Sequence, residues 1–157
     1  MVVKEEPNMN FLIAGDGPER ENLEREAYKL NMSSYLKFLG RIPHAEMPNL
    51  LSKVDIYIST SLYDGTSVSL LEAMGSGAFP IVTDIPANRE WIINGQNGFL
   101  VPLDDEKYLA NRIIDAIRNR GLLRKSQTEN CLMVEQKAIW PECIKIVKNV
   151  YANILSD

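Results

Sequence analysis

The 157-residue sequence contains little cysteine, and this scarcity excludes several kinds of site. Its two cysteines, Cys131 and Cys143, lack the paired spacing of a zinc site or a redox motif. We therefore expect buried or idle thiols, and we predict neither a metal site nor a cofactor. A reducing compartment, the cytoplasm, is the expected localisation.

Long apolar runs and an excess of positive charge are also lacking. No run approaches the roughly 20 residues that span a bilayer, and the opening MVVKEEPNMN has no signal-peptide core. The net charge of -4 provides no broad positive field for nucleic acid or anionic lipid. A bound phosphate would therefore have to be held by local dipoles. With 45% apolar residues, the chain is predicted to fold as one domain, residues 1–157.

Five short apolar runs alternate with amphipathic stretches, which is typical of a βαβ succession. The predicted strands are 10–14, 35–39, 55–60, 80–83 and 98–101. The predicted fold class is α/β, with a Rossmann-like three-layer domain, a mostly parallel sheet and helices on both faces. In such folds ligands lie beyond the carboxyl ends of the strands, so the loops there are the candidate sites.

Amphipathic spacing predicts the helices between these strands. They cover 18–30, 45–51 and 67–74, and a further helix covers 105–120. After a break at Gly121 the chain is predicted to continue as helix to Tyr151 and Ile154, and Pro141 interrupts this tail and starts a last helix. In the first helix, Pro18 suits the first helical position, and Leu23, Ala27 and Leu30 fall on one face.

The first strand ends in the turn Gly15-Asp16-Gly17-Pro18. Glycines allow a backbone to approach a ligand at a helix amino terminus, so Gly15 and Gly17 are candidate contacts. A dinucleotide fingerprint needs a third glycine where this chain has Arg20, and no phosphate-loop lysine follows. A tight strand-to-helix turn without a ligand is an equal alternative.

The segment 59–82, STSLYDGTSVSLLEAMGSGAFPIV, is the most informative. It indicates a strand end, a polar loop and a helix that begins near Thr66 or Ser67, with Thr66 as its N-cap. The N–H groups of Ser67, Val68 and Ser69 would then point out of the positive end of the helix. A phosphate group fits there.

Two carboxylates flank this helix start. Glu72 lies four residues after Val68 and so projects from the same face, where it can reach a ribose. Asp64 precedes the helix and can reach a sugar attached beyond a diphosphate. The alternative is a loop-capping Asp64 and a solvated Glu72. However, Glu72 sits in the otherwise apolar SVSLLEAM, where an unpaired carboxylate is costly.

These residues resemble the signature of family 4 of the retaining GT-B glycosyltransferases, an acid, seven residues and a glutamate, followed by Ala-Met-x-x-Gly-x-Pro. The counterparts here are Asp64, Glu72, Ala73, Met74, Gly77 and Pro80. In the family proline usually follows the glycine by two residues, whereas here it follows by three, so this loop is expected to differ. Other family-like motifs occur in order at 15–18, 38–40, 55–58 with Ser61, and 90–101.

The resemblance implies the C-terminal, donor-binding half of a GT-B fold. Asp64 would address the donor sugar and Glu72 the ribose, and these two acids carry the catalytic assignment. Backbone after Asp64 would contact the diphosphate, and the base would lie beside the loop after Gly40, where His44 is expected to be a surface residue. The implied donor contacts are Gly15, Gly17, Arg41, Ile42, Gly65, Thr66, Ser67, Val68 and Glu72.

The sequence departs from the family in two ways. The first acid is commonly glutamate, so the shorter Asp64 leaves the donor open. Family members also carry an Arg and a Lys on a strand-helix unit before the Gly-Asp-Gly-Pro turn, and the fourteen residues before Gly15 are too few for a unit of roughly 30. We therefore expect that this unit, its catalytic cations and the acceptor-binding N-terminal domain are absent. The isolated chain should then have little or no transferase activity.

The expected partners follow from the same resemblance. They are a nucleoside-diphosphate sugar and an acceptor glycan or lipid that is bound by an N-terminal domain. The parent protein is expected to associate peripherally with a membrane, the chain is expected to associate with a second copy of itself, and no binding of nucleic acid is expected. Cell-surface polysaccharide biosynthesis is the implied process. Two alternatives stay open: a binding or regulatory module without chemistry, and another GT-B enzyme such as a sugar-nucleotide epimerase.

Overall fold

The computed structural model describes residues 1–138 of the chain. The strands are β1 (Phe11–Ala14), β2 (Leu36–Gly40), β3 (Ile56–Ser59), β4 (Phe79–Thr83) and β5 (Phe99–Val101). The helices are α1 (Val2–Glu5), α2 (Arg20–Lys29), α3 (Met47–Leu51), α4 (Val68–Gly75), α5 (Pro86–Arg89), α6 (Glu106–Arg118) and α7 (Arg120–Lys137), with a 3₁₀ turn at His44–Glu46. The predicted last helix from Pro141 to Tyr151 and Ile154, and Cys143, lie outside the described residues.

The chain divides into two compact units, Met1–Asn49 and Leu50–Asp157. The first unit holds a parallel pair of strands, β1 and β2, with Phe11 opposite Leu36. The register shifts at the end of β1, where Ala14 lies opposite Gly40. No described helix in either unit is long and apolar enough to cross a membrane.

The second unit holds a three-stranded parallel sheet in the order β3-β4-β5. All five residues of the central strand β4 are buried, which explains why its sequence, FPIVT, is almost continuously apolar. Each strand of this sheet begins and ends within one residue of its predicted bounds.

Helices cover both faces of this second sheet. Val82 of β4 clusters with Leu70 and Met74 of α4 on one face. Successive strand residues point to opposite faces, so Phe79 lies on the other face, where its ring meets that of Phe99 at 5.2 Å. There Arg112 of α6 stacks over the Phe99 ring.

The predicted α/β fold with parallel strands and helices on both faces is therefore confirmed. The structure differs in dividing the strands between two sheets, one in each unit. Which strands form one sheet depends on which strand edges meet in space, and the sequence of an apolar run does not indicate which strand pairs with it.

Two predicted helix boundaries were wrong. Pro18 does not begin α2, because Arg20 N–H closes a turn onto Gly17 O at 3.1 Å and the helix begins at Arg20. Proline, with its fixed φ, suits the second position of that turn. The break before α7 lies at Asn119 instead of Gly121, because Oδ1 of Asn119 accepts the N–H of Leu122 at 3.0 Å and caps the new helix.

The apolar face predicted for α2 is only partly buried. Ala27 is buried, whereas Leu23 and Leu30 are exposed. Leu12 of β1 is exposed as well. Helical spacing identifies which residues share a face, but burial requires an element that packs on that face.

Candidate functional site

In the first unit, the structure brings together the two loops at the carboxyl ends of β1 and β2. The N–H of Gly15 donates to the carbonyl oxygen of Gly40 at 2.8 Å, so the Gly-Asp-Gly-Pro turn adjoins the start of the loop that holds Arg41 and Ile42. Gly15 has a φ of +131°, a conformation that favours glycine. Gly17 donates its N–H to Oδ1 of Asp16 at 3.1 Å.

Arg20 is a cation at this edge for which no role was predicted from the sequence. A Cβ on Gly40 would lie 2.9 Å from Nη1 of Arg20. The guanidinium also pairs with Glu24 at 2.9 Å and lies 3.9 Å from Asp16. The position of Arg20, in the first helical turn after the glycine turn, could have indicated a cation at this edge. From the sequence, Arg20 served only to exclude a dinucleotide fingerprint.

In the second unit, the loop that follows β3 leads into the amino end of α4. Thr83 Oγ1 donates to the carbonyl oxygen of Ser59 at 3.4 Å, so the carboxyl ends of β3 and β4 lie side by side. Residues 60–67 form the loop, which places Asp64, Gly65 and Thr66 immediately beyond this edge of the sheet.

The N-cap of α4 is Ser67, and the prediction of Thr66 was wrong. Ser67 has an extended backbone, and its Oγ accepts the N–H of Leu70 at 3.3 Å. Serine and threonine can both cap helices, so the presence of a capping side chain did not distinguish these two neighbours. The first helical N–H groups are therefore those of Val68 and Ser69, one residue later than expected.

These two N–H groups are suited to bind an anion. Neither takes part in a hydrogen bond with another described residue, since the bonds of the first turn begin at Leu70 and Leu71. The side chains of Val68 and Ser69 are exposed, so solvent or a ligand can reach this end of the helix. The partial positive charge of the helix amino terminus adds to the attraction.

Glu72 and Asp64 are both half-buried. Glu72 lies within α4, four residues after Val68 and so one turn further along the same face. It precedes the fully buried Ala73 and Met74. Asp64 lies in the loop, three residues before the N-cap.

An ion pair follows β4 at the carboxyl edge of the sheet of the second unit. Arg89 of α5 donates from Nε and Nη2 to the two carboxylate oxygens of Asp84, at 2.6 and 3.2 Å. This hydrogen-bonded guanidinium lowers the pKa of Asp84 below its ordinary value. Neither α5 nor this ion pair was predicted from the sequence.

Within residues 1–138 no group of three His, Cys, Asp or Glu side chains could hold a metal ion. Cys131 is a free, half-buried thiol whose Sγ lies 3.4 Å from the carbonyl oxygen of Gly75. His44 is exposed at the start of the 3₁₀ turn.

Comparison with known proteins gives one family and several relatives. The profile of the family described as "Glycosyl transferases group 1" matches residues 1–131. The chain is 29% identical over 150 residues to the uncharacterized glycosyltransferase MJ1178 of Methanocaldococcus jannaschii. The match covers 96% of this chain and 42% of that protein, so the chain spans less than half the length of this relative.

Two solved structures resemble the chain closely. The pneumococcal O-GlcNAc transferase GtfA, in complex with UDP and GlcNAc, matches with a TM-score of 0.83 and 24% identity over 99% of this chain and 31% of that one. The C-terminal domain of the group 1 glycosyl transferase LpcC from Francisella tularensis matches with a TM-score of 0.80 and 24% identity over 88% of this chain and 74% of that one. These likenesses confirm the predicted Rossmann-like fold of GT-B glycosyltransferases.

Proposed function

The chain belongs to the family of group 1 glycosyl transferases, and from this we propose that it is the C-terminal, sugar-donor-binding part of a retaining family 4 enzyme. Its substrate is a nucleoside-diphosphate sugar, whose glycosyl group passes to an acceptor with retention of anomeric configuration. Two likenesses support this: GtfA was crystallised with UDP and GlcNAc, and the LpcC structure is a C-terminal domain.

The observation that carries the proposal is the amino end of α4. The N–H groups of Val68 and Ser69 are unused by other described residues, they lie beyond the carboxyl edge of a parallel sheet, and the side chains around them are exposed. We assign the diphosphate to this position. Gly65, Thr66 and Ser67 form the rest of the backbone around it.

This arrangement suits the departure of a diphosphate. When the bond from the anomeric carbon to the phosphate oxygen breaks, the electron pair remains on the diphosphate. N–H groups and a helix dipole already directed at that oxygen stabilise the new charge without reorganising. Glu72 and Asp64 then serve as acceptors for hydroxyl groups, Glu72 for the ribose and Asp64 for the donor sugar.

The test places a competing carboxylate at this helix end. In Val68→Asp the new side chain lies in the first turn of α4, where a negative charge stabilises the helix by about 0.3 to 1 kcal/mol. The melting temperature should hold or rise, while the affinity for nucleoside-diphosphate sugars falls by at least about tenfold through charge repulsion and competition for the N–H groups. Calorimetry with a panel of UDP-, GDP- and ADP-sugars measures the affinity.

Two variants control for the substitution itself. Val68→Ala removes the same side chain without adding charge, and Leu132→Asp adds the same charge on an exposed position of α7. Both should bind like the wild type. If the wild-type chain binds no member of the panel, or if Val68→Asp binds equally well, the proposed site is wrong.

For the chain by itself we propose donor binding without transfer. The chain covers 42% of MJ1178 and 31% of the GtfA chain, so an acceptor site is assigned to the remainder of a longer enzyme. Mass spectrometry of products formed from a sugar donor and candidate acceptor glycans or lipids tests this. Transfer by the isolated chain would contradict it, and a donor-binding regulatory module is the alternative if no longer form of the protein transfers sugar.

The remaining assignments are proposed on the resemblance alone. Gly15, Gly17, Arg41 and Ile42 are proposed donor contacts. On the same resemblance we propose that the parent protein is a cytoplasmic enzyme of cell-surface polysaccharide biosynthesis that associates peripherally with a membrane. We also propose that the chain self-associates. Light scattering of the isolated chain tests self-association directly.

A further inference from the structure

Three hydroxyl groups form a hydrogen-bonded chain between β3 and the first turn of α4. The phenol oxygen of Tyr57 lies 2.8 Å from Oγ of Ser69, and Oγ of Ser69 lies 3.2 Å from Oγ of Ser67. Oγ of Ser67 also accepts the N–H of Leu70. The donor-binding roles assigned above use backbone and carboxylate groups, and none of them uses the hydroxyls of Tyr57 and Ser69.

Counting protons shows one arrangement of donors and acceptors that these hydrogen bonds allow. A hydroxyl group has one proton to donate and two lone pairs to accept with. The N–H of Leu70 uses one lone pair of Ser67, whose proton can then point to Ser69. When Tyr57 also donates to Ser69, both lone pairs of Ser69 are filled, and its own proton must point away from the two partners.

A proton of Ser69 that points away from these two partners can reach solvent or a ligand. Ser69 is exposed, whereas Ser67 is buried and Tyr57 is half-buried. A phosphate offers only acceptors, so its presence selects the arrangement in which Ser69 donates outward. Hydrogen bonds that run in one direction along a chain polarise one another, which strengthens the last donor.

The ring of Tyr57 is held in place by the core of the second unit. Its ring packs against the buried cluster of Leu70, Met74, Val82 and Ile92, so the phenol oxygen has little freedom to move. The hydroxyl group that contacts Ser69 therefore belongs to a strand of the sheet and not to the loop.

We propose that the Ser69 hydroxyl is a further phosphate contact of the donor site, and that Tyr57 is a positioning residue that orients it. The proposal rests on the proposed function, because it assigns the ligand of the same helix end. It adds a side-chain donor that is preset by a residue on the neighbouring strand.

The test compares Ser69→Ala, Tyr57→Phe and the double variant. Affinity for the tightest-binding nucleoside diphosphate is measured by calorimetry, and affinity for inorganic pyrophosphate by competition. Ser69→Ala loses a hydrogen bond to a charged group and should weaken both ligands by about tenfold or more. Tyr57→Phe should weaken both by about three- to fivefold and should have no further effect once Ser69 is alanine.

Matched controls separate this role from stability. Tyr28→Phe and Ser33→Ala change the same groups at exposed positions of the first unit and should leave binding unchanged. Ser69→Thr keeps the hydroxyl and should restore affinity.

Three outcomes would count against the inference or its premise. If the wild type binds no nucleoside diphosphate, the proposed function fails. If the wild type binds a nucleoside diphosphate, and Ser69→Ala and Tyr57→Phe bind it as tightly as the wild type does, only this inference is overturned. If Tyr57→Phe lowers the melting temperature without changing either affinity, its role is structural and the positioning role is overturned.

Discussion

Asn97 and Asn130 exchange two hydrogen bonds inside the second unit. Nδ2 of Asn97 donates to Oδ1 of Asn130 at 3.0 Å, and Nδ2 of Asn130 donates to the carbonyl oxygen of Asn97 at 2.9 Å. Both side chains are almost completely buried. Asn97 also accepts the N–H of Ile93 at 2.7 Å and donates to the carbonyl oxygen of Trp91 at 2.9 Å. The pair therefore fastens α7 to the segment that precedes β5.

We predict that Asn130→Ala destabilises the fold by about 2 to 4 kcal/mol, because it leaves buried polar groups of Asn97 without partners. Urea denaturation measures the free energy of unfolding. Asn111→Ala, at an exposed position of α6, should change it by less than about 0.5 kcal/mol. A loss below about 1 kcal/mol in Asn130→Ala would show that the exchanged bonds contribute little.

The assignment of Glu72 to the ribose predicts a dependence on the ribose hydroxyls. Glu72→Ala should weaken binding of a nucleoside diphosphate by about tenfold or more, because a charged acceptor for the hydroxyl protons is lost. Calorimetry with the 2′,3′-dideoxy form of the same nucleotide should show no difference between variant and wild type. The exposed Glu135→Ala on α7 is the matched control. Equal affinities of Glu72→Ala and wild type for every donor would contradict the assignment.

Gly98 is predicted to tolerate no larger side chain. A Cβ at this position would lie 2.8 Å from both Cγ and the carbonyl oxygen of Pro80, and 3.0 Å from Cγ2 of Ile92. Gly98→Ala should therefore destabilise the protein by about 1 to 3 kcal/mol through overpacking against the central strand. Thermal and urea unfolding measure the loss.

Gly121→Ala is the opposite case. Its Cβ would make only an ordinary contact at 3.5 Å with Asn119, and alanine favours the helix by up to about 1 kcal/mol. The two substitutions should thus change the free energy of unfolding in opposite directions. A Gly98→Ala protein as stable as the wild type would mean that β5 can move away from Pro80 at little cost.

The ion pair of Asp84 and Arg89 predicts a dependence of stability on pH. The pKa of Asp84 is lowered in the folded protein from its ordinary 3.8, so the folded state favours the ionised carboxylate. The resulting stabilisation is fully present above about pH 5 and is lost as the pH falls below 4 through the folded pKa. Because the pair is exposed, the effect on the melting temperature is expected to be small.

Asp84→Asn measures this contribution. The difference in melting temperature between wild type and Asp84→Asn should be constant from pH 7 to 5 and should shrink towards zero below pH 4. Asp104→Asn, at an exposed position with a φ of 54° that asparagine also adopts, is the matched control for the exchange of aspartate for asparagine. A difference that persists unchanged into acid would show that the carboxylate charge is not its cause.

The sequence was most informative where one local signal was sufficient. The run Phe79 to Thr83 is apolar because both faces of β4 are covered, so its position could be predicted directly. The helix start after Asp64 was predicted to within one residue, although the choice between Thr66 and Ser67 as N-cap was wrong. Either residue can cap, and only the backbone conformation of Ser67 and the position of Leu70 decide between them.

Side-chain partners across distant segments could not be predicted. The sequence indicates only that Tyr57 is a strand residue, and the structure shows that its phenol oxygen lies beside Oγ of Ser69. Asn97 and Asn130 are separated by 33 residues and carry no motif. Leu23 fits an apolar helix face, yet it is exposed because burial depends on what packs against that face.

By itself the sequence determined the alternation of strands and helices, the likeness to glycosyl transferases, and the position of the helix end to which we assign the diphosphate. It could do so because apolar periodicity, capping residues and motif spacing are properties of neighbouring residues. Only the tertiary structure decided which strands share a sheet, which hydroxyls and amides meet, and which loops adjoin. Those outcomes depend on the close packing of segments far apart in the chain, and no local pattern records them.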